Sequence, residues 1–382
     1  MESIVIIGAG PAGLQAAIRL KELGFEATVF EEHESVGMPE NCGGLISKNG
    51  LKELGLNVED CLENEIKGAK IFSPNGTMLK VSMPKTVAYV VERKGFDQLL
   101  ARKAKEKGAK IVLNSRLIDI HGQNIFLTTK ERGEMKKAQY VIGADGVNST
   151  VRQLMSTIIS KENFVHSAQT VCSGNFEKDF VEIHFGDFAD GFFGWVIPLS
   201  SEKARIGLGC RLGKNPSENL QKFIAQKFPE ARSYGTKSSL IPCGPPLNAQ
   251  QIQKSNILLL GDSAFHTKAT TGGGIIFGMK AGNIAAQTIV DNIVHKKPLA
   301  NYDKNLEKIN RELRMHWKIR KYFNSMRAEE IDALFAKLKA KGIEEFLEKE
   351  GDMDNPSKFV GKLAGKPKFW FMARTLLDIA RS

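Results

Sequence analysis

The chain opens with apolar and polar segments in the order that builds a sheet covered by helices. Residues 3–7, SIVII, form a continuous apolar run, and residues 14–24, LQAAIRLKELG, carry apolar side chains at helical spacing. Residues 26–33, EATVFEEH, follow as a second strand-like stretch. Because uninterrupted apolar runs are typical of strands buried on both faces, these segments predict the strand, helix and strand of a parallel sheet.

Later segments repeat this pattern, and a different one lies between them. Residues 140–142, YVI, and residues 256–260, NILLL, are again strand-like, and a glycine follows each. Residues 67–84 and 181–210 instead contain short strand-like runs bounded by glycine and proline, which predicts an antiparallel sheet, with a hairpin in residues 67–84 around the turn Pro74-Asn75-Gly76. From residue 301 onward, apolar side chains recur at helical spacing, and residues 350–358, EGDMDNPSK, predict a break between helices. The chain has no run of eighteen apolar residues, so no segment is predicted to span a membrane.

The turn after the first strand has the spacing of a dinucleotide-binding fingerprint. Gly8, Gly10 and Gly13 stand in GxGxxG order, and Glu31 ends the second strand 21 positions after Gly10. The glycines admit a pyrophosphate to the N-terminus of the helix, and the carboxylate can accept both ribose hydroxyls. The fingerprint predicts a bound dinucleotide, but it does not by itself separate NAD from FAD.

Two further motifs bear on the choice of cofactor. Residues 143–146, GADG, follow one strand, and Asp262 follows another, ahead of a glycine-rich turn that ends at Gly274. Asp262 could accept a hydrogen bond from the ribityl chain of a flavin, and the turn offers backbone N–H groups. In this order the three motifs resemble the flavoprotein group of para-hydroxybenzoate hydroxylase type. The resemblance implies tightly bound FAD, with a cofactor contact from Arg93 at the start of a helix. It also implies cofactor contacts at Ala12, Cys42, Gly43, Leu45, Leu117 and Ile275.

The predicted fold class is therefore α/β, with three parts. They are a Rossmann-type FAD-binding domain of the para-hydroxybenzoate hydroxylase kind, an inserted antiparallel β-sheet domain for the substrate, and a C-terminal helical region. The predicted boundaries are residues 1–66, 85–160 and 250–300 for the first, 67–84 and 161–249 for the second, and 301–382 for the third.

The loop that follows the second strand carries a distinctive cysteine. In residues 33–47, HESVGMPENCGGLIS, Cys42 is followed by Gly43 and Gly44, which remove side chains from the backbone, so that a flat ring could lie against it. With the Glu, Val-Gly and Pro before it, this segment resembles the cysteine loop of the geranylgeranyl reductase family. The likeness is strongest to the archaeal members that saturate digeranylgeranylglycerophospholipids, and it extends over roughly residues 1–300.

That resemblance implies an FAD-dependent reductase that saturates isoprenoid double bonds of a prenyl lipid, as in archaeal membrane lipid biosynthesis. An electron-rich alkene accepts hydride only if a proton arrives as well, so a donor must face the flavin. A thiol titrates near pH ~8.5 and is mostly protonated at neutral pH, which makes Cys42 the predicted donor; packing on the flavin ring is its alternative role. Phe192, Phe193 and Trp195 are predicted to line the apolar substrate site, with ordinary core packing as the alternative.

The substrate sheet departs from the signature of that family, P-x-x-Y-x-W-x-F-P. Aligned on its tryptophan and final proline, the chain keeps Trp195 and Pro198. The other three signature positions hold Asp190, Phe193 and Ile197, so the chain has no tyrosine hydroxyl at this place. The loop ahead of the glycine-rich turn also lacks the proline usual in the family.

Other functions are compatible with parts of the same pattern. Residues 195–198, WVIP, match the second half of the GWxWxIP signature of flavin-dependent halogenases, whereas Phe192 and Phe193 replace its first Gly and Trp. Flavin-dependent aromatic monooxygenases belong to the same broad group. A dehydrogenase resembling electron-transfer flavoprotein:quinone oxidoreductase is a further alternative, although no iron–sulfur cysteine cluster is visible. A flavoprotein that only holds a lipid also stays open.

Composition and charge limit the class of protein, its binding partners and its cellular compartment. The 382 residues are 42% apolar and 25% charged, as in ordinary globular proteins. The net charge of +11 is compatible with anionic lipid or an acidic substrate, but no basic run interleaved with aromatics indicates nucleic acid. The five cysteines form no CxxC pair, which argues against disulfides and zinc and favours a reducing compartment. Without a signal-peptide pattern at its start, the protein is predicted to be cytoplasmic.

The sequence gives less information about partners. It has no second nucleotide fingerprint, so NAD(P)H, ferredoxin and a deazaflavin are all compatible electron donors. The basic and aromatic segment 365–381, GKPKFWFMARTLLDIAR, predicts peripheral contact with a membrane interface, with packing on its own domain as the alternative.

Overall fold

The computed structural model of the protein describes residues 3–129 and 132–369. The strands are β1 Ile4–Ile7, β2 Ala27–Phe30, β3 Leu45–Ser47, β4 Leu62–Ile66, β5 Gly68–Phe72, β6 Met78–Ser82, β7 Ala88–Val91, β8 Lys110–Val112, β9 Arg116–His121, β10 Asn124–Thr128, β11 Gly133–Lys137, β12 Tyr140–Gly143, β13 Phe164–Ser173, β14 Phe180–His184, β15 Gly194–Pro198, β16 Lys203–Arg211, β17 Arg232–Pro242, β18 Gln253–Lys254 and β19 Ile257–Leu259. The helices are α1 Pro11–Glu22, α2 Lys48–Glu53, α3 Arg93–Glu106, α4 Thr150–Leu154, α5 Pro216–Lys227, α6 Ala249–Ile252, α7 Ile275–His295, α8 Asn301–Ser325, α9 Ala328–Ala340, α10 Ile343–Glu350 and α11 Pro356–Ala364.

The apolar runs form the predicted parallel sheet. Its six strands lie in the order β18-β19-β12-β1-β2-β8. The pairs from β19 to β8 are parallel, and only the short β18 is antiparallel. Helix α7 lies against α1 in backbone contact, since a Cβ added at Gly282 would fall 2.6 Å from the carbonyl oxygen of Ala12. This arrangement confirms the predicted Rossmann-type fold.

The glycine- and proline-bounded runs form a second sheet of seven strands, in the order β17-β13-β16-β15-β14-β5-β6. Strands β5 and β6 are the predicted hairpin, and Gly76 in its turn has φ +89°. All neighbours in this sheet are antiparallel except β14 and β5, which are parallel. Because β5 and β14 are distant in sequence, no tight turn forces them to run in opposite directions.

Two small antiparallel sheets accompany these, and the sequence pattern did not predict either. One has the order β11-β10-β9, and the other has the order β3-β7-β4. In the second, the backbone N–H of Val91 donates to the carbonyl oxygen of Gly44 at 3.0 Å. Because β3 follows the cysteine loop and β7 precedes α3, this sheet brings Cys42 and Arg93 together.

The C-terminal helices pack on both larger sheets. Leu306 and Leu313 of α8 are fully buried in the main core beside α7. Phe335 of α9 and Phe346 of α10 are buried in a cluster that includes Leu79 of β6. Among the residues described, no helix is both long enough and apolar enough to cross a membrane. Phe369 of the predicted membrane-contact segment is buried in the same cluster, and residues 370–381 of that segment lie outside the described residues.

Candidate flavin and substrate site

The glycine turn between β1 and α1 leaves a cradle at the N-terminus of α1. Gly8 has φ +102°, and an added Cβ would overlap the carbonyl oxygen of Ala144. A Cβ at Gly13 would overlap the carbonyl oxygen of Gly8, whereas the space beside Gly10 is open. No side chain caps α1 at Gly10. Free N–H groups at a helix N-terminus and an open approach are what a pyrophosphate requires, so these residues fit a dinucleotide.

Glu31 faces this turn from the end of β2. Its Oε2 accepts from the N–H of Ala9 at 2.8 Å, and its Oε1 accepts from the N–H of His33 at 3.0 Å. The ring Nδ1 of His33 also lies 2.6 Å from Oε1. The residue is 9% exposed. The carboxylate is therefore held in place with little free acceptor capacity, and the half-exposed His33 would have to move for Glu31 to accept both ribose hydroxyls.

The GADG segment after β12 and the residues that follow it are hydrogen-bonded to each other and to the segment that contains Asp262. Asp145 accepts from the hydroxyl of Ser149 at 2.6 Å and from the N–H of Val151 at 2.9 Å. The buried Arg152 donates to the carbonyl oxygen of Ser263 at 3.0 Å. The second motif is thus bonded directly to the third, and both are fixed relative to the glycine turn.

Asp262 lies beside the glycine-rich turn ahead of α7. Its Oδ1 accepts from the hydroxyl of Thr267 at 3.1 Å, and a Cβ added at Gly274 would lie 2.9 Å from the same oxygen. Burial raises the pKa of the Asp262 carboxyl, although the Thr267 hydrogen bond and the cations Arg93 and Arg152 act in the opposite direction. Like α1, helix α7 has no side-chain cap, so its first N–H groups are free toward the turn.

Cys42 and Arg93 form the chemical centre of the site. Nη2 of Arg93 donates to both carboxylate oxygens of Asp97, at 2.8 and 3.0 Å. Burial lowers the pKa of the Arg93 guanidinium, but Asp97 and the neighbouring sulfur of Cys42 outweigh it, and the pKa rises above its usual value. The buried Nε of Arg93 has no partner among the described residues. A cation held by Asp97 therefore lies beside the Cys42 thiol.

The two glycines after Cys42 allow close packing that the sequence did not predict. Gly44 has φ +74°, and an added Cβ would overlap the carbonyl oxygen of Val91. A Cβ at Gly43 would lie 2.6 Å from Cδ1 of Ile197 on the substrate sheet. Nη1 of Arg205 donates to the carbonyl oxygen of Gly43 at 3.3 Å. The expectation was a bare surface for a flat ring, but these Cβ positions face protein, so the glycines let the loop pack between β7 and β15.

The predicted substrate residues lie together in one aromatic cluster. Phe192 and Phe193 are 6% and 7% exposed, with their rings stacked 4.2 Å apart, and Trp195 meets Phe193 edge-on at 6.1 Å. Glycines on β16 make room for two of these rings, because an added Cβ would lie 2.5 Å from the Trp195 ring at Gly207 and 2.7 Å from the Phe192 ring at Gly209. Val165, Cys243 and Ala269 belong to the same cluster, with Ile183, Phe185, Ile241 and Trp317 at its edge. Since Ala269 comes from the loop before the glycine-rich turn, the cluster adjoins the flavin motifs.

The remaining predicted cofactor contacts are spread around this centre. Ala12 is in the first turn of α1, Leu45 begins β3, and Ile275 begins α7. Leu117 is 3% exposed in the main core, so only its backbone could reach a cofactor.

Sequence reasoning missed the contacts that hold the glycine-rich loop, which we define as residues 266–274. Nζ of Lys268 lies 2.8 Å from Oδ1 of Asp354, and both side chains are less than 8% exposed. The hydroxyl of Thr270 lies 2.6 Å from Nδ1 of His316 on α8. These partners are 46 and 86 positions away in the chain, and no local motif marks them. The loop facing the site is therefore tied to the C-terminal helical region.

Comparison with known proteins places the chain among flavoproteins. Residues 1–231 match the family described as FAD binding domain. A digeranylgeranylglycerophospholipid reductase of Methanocella arvoryzae is 32% identical over 338 residues, covering 83% of this chain and 86% of the relative. An uncharacterised protein of Methanocaldococcus jannaschii is 30% identical over 386 residues, covering 98% of each chain.

A solved structure shares the whole fold. A geranylgeranyl bacteriochlorophyll reductase-like protein from Thermoplasma acidophilum superposes with a TM-score of 0.86, covering 99% of this chain and 100% of that chain. The two sequences are 22% identical, so this likeness describes the architecture.

Proposed function

The chain belongs to the FAD binding domain family and, within it, to the geranylgeranyl reductase group, and from that membership we propose that it saturates geranylgeranyl double bonds of a glycerophospholipid. It is an FAD-dependent oxidoreductase. The observation that carries the proposal is the likeness, over 83% of the chain, to a relative named for this reaction. The apolar aromatic cluster beside the flavin motifs supports it, because an isoprenoid chain needs such a lining.

The residues that would hold FAD come from three motifs. The open N-terminus of α1 at Gly10 would accommodate the pyrophosphate, Glu31 would accept from the ribose, and Asp262 with the N-terminus of α7 would contact the ribityl chain and ring. When bound and reduced, FAD supplies the hydride for addition to the alkene.

Within this proposal Cys42 delivers the proton. Its side chain is partly accessible, and its sulfur neighbours the Arg93 guanidinium. Loss of the proton leaves a thiolate beside a cation that Asp97 holds in place. Phe192, Phe193 and Trp195 exclude water from the reacting chain, so that the proton comes from the thiol rather than from solvent.

The competing assignments as a halogenase or an aromatic monooxygenase have less support. The position where the halogenase signature has its first tryptophan holds Phe193, which is stacked in the aromatic cluster. The reductase name, in contrast, belongs to a relative that matches most of the chain. The electron donor stays a prediction among NAD(P)H, ferredoxin and a deazaflavin.

Lipid mass spectrometry tests the proposal in cells. The chain is expressed in a host that accumulates geranylgeranylated glycerophospholipids, with Glu31→Ala as a control of impaired FAD binding. We expect lipid masses to rise in steps of two hydrogens with the wild-type chain, and much less with the control. Unchanged lipid masses in the presence of FAD-loaded wild-type protein would refute the proposal.

A further inference from the structure

Arg320 is a buried cation that no acidic residue in the described part of the chain neutralises. It lies on α8 and is 9% exposed. Among residues 3–129 and 132–369 it forms neither an ion pair nor a hydrogen bond. Burial lowers the pKa of its guanidinium, the Cys243 thiol opposes that change, and the Arg211 cation adds to it. A largely buried guanidinium without acceptors is costly, so its presence indicates an acceptor that residues 3–129 and 132–369 do not supply.

The surroundings of Arg320 join this charge to the aromatic cluster. Its guanidinium carbon lies 4.9 Å from the centre of the Phe192 ring, whose other neighbour is Phe193 at 4.2 Å. The carboxylate of Asp190 is already engaged, since Nε of Arg211 lies 3.1 Å from its Oδ1. One end of the apolar cluster therefore carries an uncompensated positive charge.

A second donor lies one helical turn away. His316 precedes Arg320 by four residues on α8, which puts both on one face of the helix. Nδ1 of His316 lies 2.6 Å from the Thr270 hydroxyl, and in the tautomer in which Nδ1 accepts from that hydroxyl the ring proton is on Nε2. That atom is buried and has no partner among the described residues. Two polar groups without acceptors thus lie on the helix face that adjoins the cluster.

We propose that Arg320, assisted by His316, binds the phosphate of the phospholipid substrate while the aromatic cluster holds its prenyl chain. This inference rests on the proposed function, because it assigns the headgroup end of the same substrate. A guanidinium matches a phosphate with paired charge-assisted hydrogen bonds, and the neutral His316 adds one more. The ligand chemistry is a phosphate monoester, so the test must separate a lipid headgroup from free phosphate.

The test compares digeranylgeranylglyceryl phosphate with the uncharged digeranylgeranylglycerol on reduced, FAD-loaded enzyme. We expect Arg320→Gln to raise KM for the phosphate lipid by about tenfold or more, the reach of a hydrogen bond to a charged group, and to change KM for the neutral lipid by less than about twofold. Arg320→Lys keeps the charge without the planar fork and should fall between the two. Lys308→Gln, an exposed cation on the same helix, should behave as wild type toward both lipids.

Three outcomes would overturn the inference. Equal effects of Arg320→Gln on the two lipids, or an altered flavin spectrum without ligand, would make Arg320 a structural or flavin-contacting residue. Thermal protection by inorganic phosphate that depends on Arg320, without discrimination between the lipids, would make free phosphate the ligand. If the wild type reduces neither lipid, the proposed function fails instead. In that case the phosphate site would still be supported if the phosphate lipid, but not the neutral lipid, protects the wild type against thermal unfolding and this protection is lost in Arg320→Gln.

Discussion

At the scale of single residues, Cys42 differs from the other cysteines of the chain. Cys61, Cys172, Cys210 and Cys243 are buried, and burial raises the pKa of each thiol. Cys42 is partly accessible and neighbours Arg93, a residue fixed by Asp97. Of these five thiols, it is the one that is both partly accessible and placed beside a guanidinium held by an aspartate.

This placement predicts how Cys42 variants behave. Cys42→Ala should keep FAD bound, because Glu31 and Asp262 are untouched, but it should reduce the alkene about 100-fold or more slowly, the usual effect of a general acid. Cys42→Ser keeps a donor of similar size with far weaker acidity and should be slow as well. Single-turnover rates under anaerobic conditions measure both. Wild-type rates in the two variants would show that the thiol only packs.

The residue types were easier to predict than their contacts. Cys42-Gly-Gly stood out in the sequence, and so did the Gly8, Gly10 and Glu31 fingerprint. The contact between Cys42 and Arg93 could not be predicted, since it depends on the pairing of β3 with β7, in which Leu45 is opposite Val90. For the same reason, the packing of Gly43 on Ile197 had no sequence signal.

At the scale of elements, the glycine-rich loop depends on the segment between α10 and α11. Burial raises the pKa of the Asp354 carboxyl, but the Lys268 cation outweighs it, and hydrogen bonds from Lys268 and Ser47 also lower the pKa below its usual range. Ser47 ends β3, directly after the cysteine loop. One carboxylate thus bonds the glycine-rich loop and lies near the end of the cysteine loop. The sequence pattern indicated only a break between helices here.

Replacing Asp354 should therefore loosen the site as well as the fold. Asp354→Asn leaves Lys268 buried without its counter-charge, a change that typically costs about 3–5 kcal/mol of unfolding free energy. FAD affinity should fall with it, because the loop carries Gly274. Urea unfolding and flavin titration measure the two effects. Glu345→Gln, an exposed carboxylate on α10, should change stability by less than about 0.5 kcal/mol, and equal stability of the two variants would contradict this role.

At the scale of the whole molecule, two buried histidines make stability depend on pH. Burial lowers the pKa of His266 to about 3, and burial with the Lys268 charge lowers that of His316 to about 3. Nδ1 of His266 accepts from the N–H of Gly261 at 3.2 Å, so a proton added to Nδ1 would face the Gly261 N–H and break this hydrogen bond. Below pH ~6.5, the pKa of histidine in the unfolded chain, the unfolded chain binds protons at these two positions that the folded protein does not bind.

Stability should therefore be complete above about pH 6.5 and fall steadily as the pH drops toward 3. The slope approaches about 1.4 kcal/mol per pH unit for each histidine. His316→Gln should remove about half of it between about pH 6 and 5, where carboxylates contribute less. Urea unfolding at several pH values measures the slope. A flat profile in the wild type would contradict the burial of these rings.

The fold could be predicted in large part because it depends on local patterns. Apolar runs and glycine turns predicted the Rossmann-type sheet, and the Pro-Asn-Gly turn predicted the hairpin of β5 and β6. The C-terminal helices could be predicted as helices, but not as the supports of the glycine-rich loop. Arg320 and Asp354 acquire their roles from neighbours far away in the chain, which periodicity does not encode.

Anaerobic reoxidation of the reduced, FAD-loaded protein by digeranylgeranylglyceryl phosphate tests directly whether the flavin saturates prenyl double bonds. We expect the flavin to be oxidised without oxygen and the lipid to gain two hydrogens for each flavin oxidised, as flavin absorbance and lipid mass spectrometry would show. A flavin that stays reduced with this lipid, yet is oxidised by oxygen while an aromatic compound is hydroxylated or a halide is consumed, would contradict it.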